Sequence, residues 1–168
     1  SYNTSTYMGM LLSKTKEDPA AILDHLESTV AKELNGEQEQ CTSFTFIVPP
    51  KHAEICNMLR VKFEELFGPK LVGHAFTTEE IKHAKTIVQS DTECFIAIGV
   101  ENDRFGAPER RVSVSLPPNA DFVSVLAVSY YVMGQIQKKF PPYFKEGIIS
   151  YAKELGEMFG DTFNPIVE

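Results

Sequence analysis

Several chemistries are missing from this chain. No glycine loop of the kind that cradles phosphates occurs, and no Gly-x-Ser-x-Gly elbow that would expose a nucleophilic serine. No Cys-x-x-Cys occurs either, and His25, His52, His74 and His83 include no pair at i, i+4 beside a suitable glutamate, which removes the usual zinc signatures. Positive charge is in deficit: 16 Lys and Arg face 23 Asp and Glu, for a net charge of −7. That balance argues against a general nucleic-acid or anionic-lipid partner, leaving only a local basic patch. No apolar run approaches the roughly 18–20 residues of a membrane span. The first residues hold neither a secretory h-region nor an Arg-rich transit pattern, and the missing initiator Met reads as a processed or trimmed start. Cysteine is scarce and odd in number: Cys41, Cys56 and Cys94. Buried free thiols in an intracellular, reducing compartment are expected, the alternative being one disulfide and a spare thiol.

What remains is an ordinary soluble composition, 43% hydrophobic and 23% charged over 168 residues, enough for one domain with a substantial core. Residues 1–17 are polar and turn-rich and read as an N-terminal arm; 18–168 read as one domain. Asp18-Pro19 is a helix start, Ile22, Leu26, Val30 and Leu34 repeat on one face, and Asn35-Gly36 is the stop. Cys41 to Val48 is a strand by its Phe, Thr and Ile content. Ile55, Leu59, Phe63 and Leu66 mark the next helix, ended by Gly68-Pro69; Lys70 to Phe76 is a short strand. Thr77-Thr-Glu-Glu80 is a capping box that opens a third helix. Glu93 to Val100, apolar on both faces, is a central strand, and Glu109 to Leu116 alternates as a half-exposed strand paired with it. Pro117 to Asp121 opens a long helix broken at Pro141-Pro142, and Phe144 to Phe159 makes the last one, ended by Gly160. The order α-β-α-β-α-β-β-α-α predicts a single α/β domain with a central mixed sheet flanked by helices.

The richest stretch is Phe44 to Gly68: a buried strand, a tight turn, then an amphipathic helix. α/β proteins usually place ligands at such a strand end, beside a helix N-terminus. Here the turn is Pro49-Pro50-Lys51-His52. Lys51 could reach a phosphate or face solvent. Glu79 and Glu80 are explained by helix capping, and Glu79 is also a candidate magnesium ligand if Glu101 and Asp103 lie near it. The plain reading of Glu101 and Asp103 is a solvated loop after the central strand. Arg111, on the paired strand, is a phosphate-binding candidate if it faces a cleft, and an edge guard if it does not. Cys56 sits between Ile55 and Leu59 and reads as core rather than nucleophile.

Phe63-Glu-Glu-Leu-Phe-Gly68, Glu79-Glu-Ile-Lys-His-Ala84, Phe95-Ile-Ala-Ile-Gly99 and the closing Phe163-Asn-Pro165 together resemble the inosine/xanthosine triphosphatase family over residues 44–165. The resemblance implies a two-lobed α/β fold with a mixed sheet, usually dimeric. It also implies a first turn whose Asn and Lys hold a triphosphate, carboxylates that bind magnesium, and water that cleaves the α–β phosphate bond. This chain departs at those places. Pro49 or His52 stands where the Asn belongs, Lys51 matches only after a shift of register, and Gly99 replaces the strand glutamate, with Glu101 two residues late. Only Glu79 carries over, as a metal ligand. Misplacement on the ångström scale can cost ~10²-fold in rate. The expectation is therefore a non-catalytic binding or assembly module that needs no cofactor. It would use Tyr130, Tyr131, Phe140, Tyr143 and Phe144 in a homo-oligomer or protein contact, with neither nucleic acid nor membrane as partner. The alternatives are a magnesium-dependent nucleoside triphosphate pyrophosphohydrolase using Lys51, Glu79 and Glu101, and a structural subunit of a larger complex.

Overall fold

A computed structural model describes residues 4–34, 40–85 and 88–165. Four strands, β1 (Ser43–Val48), β2 (Val72–Thr77), β3 (Glu93–Ile98) and β4 (Arg111–Val114), form one sheet in the order β2-β1-β3-β4. The helices are α1 (Thr4–Thr15), α2 (Pro19–His25), α3 (Ala31–Glu33), α4 (Glu54–Phe67), α5 (Ile81–Ala84), α6 (Phe122–Gln137) and α7 (Tyr143–Phe159). The α/β class, the central sheet and the flanking helices are those expected. The sheet is parallel throughout rather than mixed: Phe95 lies opposite Arg111 and Ile98 opposite Val114. Parallel neighbours need a connection of about a dozen residues. Residues 99–110 supply that length with a 3-10 turn at Pro108–Arg110 in place of an α-helix.

Local chemistry explains most element boundaries. Asp18 Oδ1 accepts the Ala20 amide at 2.9 Å and Pro19 starts α2, as its sequence predicts. A π turn at Leu26–Val30 joins α2 to α3. Apolar residues spaced strictly by four drift around a helix of about 3.6 residues per turn, and a wider turn takes up the excess. The Asn35-Gly36 stop lies outside the described residues. At the start of α5 the capping box closes both ways. Glu80 Oε2 accepts the Thr77 amide at 2.8 Å, and Thr77 Oγ1 accepts the Glu80 amide at 3.3 Å. The segment expected to be an arm contains helix α1, none of whose side chains from Thr6 to Thr15 is fully buried.

The two faces of the sheet differ. One carries Phe44, Phe46, Val48, Cys94, Ile96, Ile98 and Val114, packed under α4 and α6. Phe63 of α4 centres this layer, with ring centroids 5.5 Å from Phe44 and 5.8 Å from Phe46. A Cβ at Gly73 would meet Phe63 Cδ1 at 2.5 Å, so β2 needs glycine under that ring. The other face is a small cluster of Ile47, Ile81, Phe95 and Ala97, covered by α5 and by Val100 and Phe105 of the loop after β3. Glu93 is buried here. It accepts the Thr45 hydroxyl at 2.5 Å and pairs with Lys85 at 2.8 Å, so the charge is compensated.

Cysteine pairing corrects the expectation of three free thiols. Cys41 and Cys94 form a disulfide across 53 residues, with Cα atoms 5.9 Å apart, while Cys56 is free and buried. Strand register, invisible in Cys spacing, brings the first two together: Ser43 lies opposite Glu93 and Phe44 opposite Cys94. Among the described residues, no helix is long and apolar enough to cross a membrane.

Candidate functional site

Because the strands run parallel, all four C-terminal ends share one edge. The chain leaves β1 towards β2 on one side and β3 towards β4 on the other, so the switch point of this sheet lies between the ends of β1 and β3. Pro49 continues β1 in extended backbone, and Pro50–His52 closes a 3-10 turn into α4. Neither proline has an N–H to offer a ligand. The amides of His52 and Ala53 donate to the carbonyls of Pro49 and Pro50, at 2.9 and 3.2 Å. Across from this turn, Gly99 has φ 69°, and a Cβ there would collide with Leu116 Cδ1 and lie 3.8 Å from Pro49 Cγ. Leu116 and Pro49 thus converge on the switch point, where open α/β folds leave room for a ligand.

His52 is 3% exposed, and its Nε2 has no hydrogen-bond partner. Burial first, then the neighbouring Lys51, push its pKa below the ordinary value, against the opposing pull of Asp121, Glu54 and Glu17. The imidazole is therefore neutral at pH 7. Cys56, at the start of α4, is pushed up to about 11 by burial and then by Glu80, which keeps it a protonated core thiol as expected.

The connection from β4 to α6 is held from a distance. Glu33 of α3 accepts the Ser115 amide at 2.9 Å and its hydroxyl at 2.7 Å, and His25 Nε2 lies 3.0 Å from the Ser115 carbonyl oxygen. Glu17 reaches the N-terminus of α6. It accepts the amides of Asp121, Val123 and Ser124 at 2.9 Å each, and the Ser124 hydroxyl at 2.5 Å. Burial raises the Glu17 pKa, but the Ser124 hydroxyl and the Asp121 and Ser124 amides outweigh it, so the carboxyl sits below its ordinary value. These partners lie between 82 and 107 residues apart in the chain. Two clefts flank the connection: one of about 340 Å³ includes Glu33, Glu101 and Ser115, and one of about 320 Å³ includes Glu17, Asn119 and Ser124.

The residues singled out from the sequence are scattered by this geometry. Glu79, in the turn after β2, is exposed and bonded to Lys82 at 2.8 Å. Glu101 and Asp103 follow β3, with β1 between them and Glu79; both are exposed, and Asp103 lies 3.5 Å from Arg104. Among the described residues, no group of three or more His, Cys, Asp or Glu side chains is placed to hold a metal ion. Glu79 therefore does not share such a group with Glu101 and Asp103. Lys51 is exposed. Arg111 spends its guanidinium on the carbonyls of Asp103, Arg104, Phe105 and Gly106, so it shapes the loop over the second sheet face. The residues that sequence reasoning missed are Glu17, His25, Glu33, Ser115 and Ser124. Only Asp121, which caps α6 by accepting the Phe122 amide at 2.8 Å, stood in a local motif.

Of the aromatic set expected at a subunit contact, Tyr130, Tyr131, Phe140 and Tyr143 are half-buried against the main core, and Phe144 is half-buried as well. The large apolar side chains that do face solvent near the C-terminus are Ile149, Tyr151, Met158, Phe159 and Phe163. A groove of about 650 Å³ runs along α7, including Ile149, Lys153, Gly156, Glu157 and Phe163. Comparison with known protein families and with curated proteins returned no match.

Proposed function

We propose that this chain is a nucleotide-pyrophosphatase-like α/β domain that has given up phosphate chemistry and serves as a non-catalytic binding or assembly module. The observation that carries this reading is the Pro49–His52 turn. At the position where a phosphate holder would sit, Pro49 and Pro50 lack N–H donors, and the amides of His52 and Ala53 bond within the turn. The exposed stripe of α7 supplies the assembly surface, taken here to be a second copy of the chain. Lys153 and Glu157 put both charge signs on the groove. The two already face each other at 4.0 Å within α7, so the apolar side chains Ile149, Met158 and Phe163 carry the contact in a two-fold pairing. No magnesium step is assigned, because the carboxylates do not converge.

Two measurements test the proposal. Nucleoside triphosphates with magnesium or manganese, assayed for pyrophosphate release at high protein concentration, should stay at the blank. Turnover would instead establish the hydrolase alternative. Light scattering during size exclusion should give an oligomer that Met158→Glu dissociates; a strict monomer contradicts assembly of like chains. An intracellular, reducing setting belongs to the same proposal. Three alkylated cysteines per chain, after lysis in denaturant with excess alkylating agent and no reductant, would show the Cys41–Cys94 bond opened in such a setting and support it; a single alkylated cysteine, at Cys56, would overturn it.

A further inference from the structure

We propose that the cleft between α5 and the loop after β3 binds a small organic phosphate monoester, with Lys82, Lys85 and Arg104 on its phosphate and Phe105 against its organic part. The composition leaves room only for a local basic patch in this acidic chain, and the fold builds one here. The cleft, of about 270 Å³, is lined by Lys82, Lys85, Gln89, Arg104, Phe105 and Gly106: three cations and no carboxylate. The clefts described above each include an acid, Glu157, Glu33 or Glu17. Lys82 and Lys85, three residues apart on α5 and its C-terminal cap, form one wall. Arg104 and Phe105 come from the loop that covers the same sheet face.

Both walls are fixed without spending these cations. Buried Asn102 accepts the Phe105 amide at 2.9 Å and donates to the Phe105 carbonyl at 3.0 Å, while Arg111 holds the carbonyls of Asp103, Arg104, Phe105 and Gly106. Ile81 of α5 and Phe105 pack into one apolar cluster. Lys85 is the anchor. Its side chain is only 20% exposed, and its ammonium meets the buried Glu93 at 2.8 Å, which uses one of the three donors an ammonium carries. Glu93 is held in turn by the Thr45 hydroxyl, so an anion can join Lys85 without unseating its partner. The other two cations are easily recruited. Lys82 with Glu79 and Arg104 with Asp103 are exposed pairs, the second 3.5 Å apart, and pairs of that kind contribute little. The shape narrows the ligand. A cleft just under the roughly 300–1,000 Å³ of ordinary ligand sites admits a small molecule. Arg and Lys side chains suit a phosphate, and Phe105, the one apolar side chain of the lining, suits a flat or aliphatic group attached to it. This inference goes beyond the assembly reading and does not depend on it.

The test follows backbone amide chemical shifts of the full chain during titration with phenyl phosphate and, separately, with inorganic phosphate. Phenyl phosphate should bind saturably, move the amides of Lys82, Lys85, Arg104 and Phe105, and bind more tightly than inorganic phosphate. Arg104→Ala and Lys82→Ala should each weaken it about 10-fold, the loss expected for a hydrogen bond to a charged group. Lys14→Ala, which removes an equal charge from α1, should leave it unchanged. All three side chains are exposed, so the variants keep the fold. The proposal is overturned if phenyl phosphate does not saturate or moves other amides instead. It is also overturned if either cleft variant binds as tightly as the unaltered chain, if Lys14→Ala weakens binding as much as they do, or if inorganic phosphate binds as tightly as phenyl phosphate. Since neither turnover nor oligomeric state is read, failure here is distinguishable from failure of the assembly proposal.

Discussion

The turn after β1 and the connection after β4 sit at the same edge of one parallel sheet, yet they satisfy their backbones in opposite ways. The first is self-contained: prolines without donors, two short internal hydrogen bonds and a buried imidazole. The second fills one donor locally, Phe122 by Asp121, and has others filled by Glu17 from the link between α1 and α2 and by Glu33 of α3. A ligand position can therefore be closed by removing its donors or by occupying them. The two differ in what a lost side chain uncovers: without the Glu17 carboxylate the amides of Val123 and Ser124 lose their acceptor, whereas Pro49 has no N–H to uncover.

Four substitutions separate these two closures. Phe63→Ala should have the largest effect, about 3–5 kcal/mol by chemical denaturation, because the ring fills the layer between β1, β2 and α4. That value calibrates the framework against which the turns are compared. Glu17→Ala should cost about 1–3 kcal/mol, the range for hydrogen bonds to a half-exposed charge. Loss of nothing measurable would place Glu17 outside the α6 cap in solution. Glu17→Gln sharpens this through pH. The folded carboxyl sits below the ordinary glutamate value, so its contribution is complete above about pH 4.3 and disappears as pH falls through the folded pKa. The stability gap between the unaltered chain and Glu17→Gln should therefore be flat near neutrality and close in acid.

His52→Leu should have the smallest effect at pH 7, within about 1 kcal/mol, since it removes an unpartnered buried nitrogen rather than a bond. Its pH window is different. The His52 pKa is depressed, so the folded state loses stability as pH falls below about 6.5 and through the folded value. His52→Leu should be the more stable protein near pH 5, in urea melts at matched ionic strength. An unchanged pH profile would show that the ring is solvated.

What could be read from the residues follows the same division. The strand, the proline turn and the Ile55–Phe63 stripe are local, and the β1–α4 unit stands where its pattern places it. Asp18 and the Thr77–Glu80 box are likewise local, and their hydrogen bonds form. The clamp on α6 was illegible because Glu17 and Ser124 lie 107 residues apart, and nothing about a lone glutamate names its partner. The direction of β4 was illegible for a related reason: alternation reports which face a residue takes, not which way the strand runs. Helical spacing of aromatics could not separate Tyr130, packed on the core, from Phe159, which faces solvent. The Cys41–Cys94 pairing depended on strand register and was hidden with it.

The distinction between the two closures rests on which amides depend on Glu17, and residue-resolved hydrogen exchange reads this directly. In Glu17→Ala, the amides of Val123 and Ser124 should lose protection while those of His52 and Ala53 keep theirs. Unchanged protection at Val123 and Ser124, or an equal loss at both turns, would contradict the account.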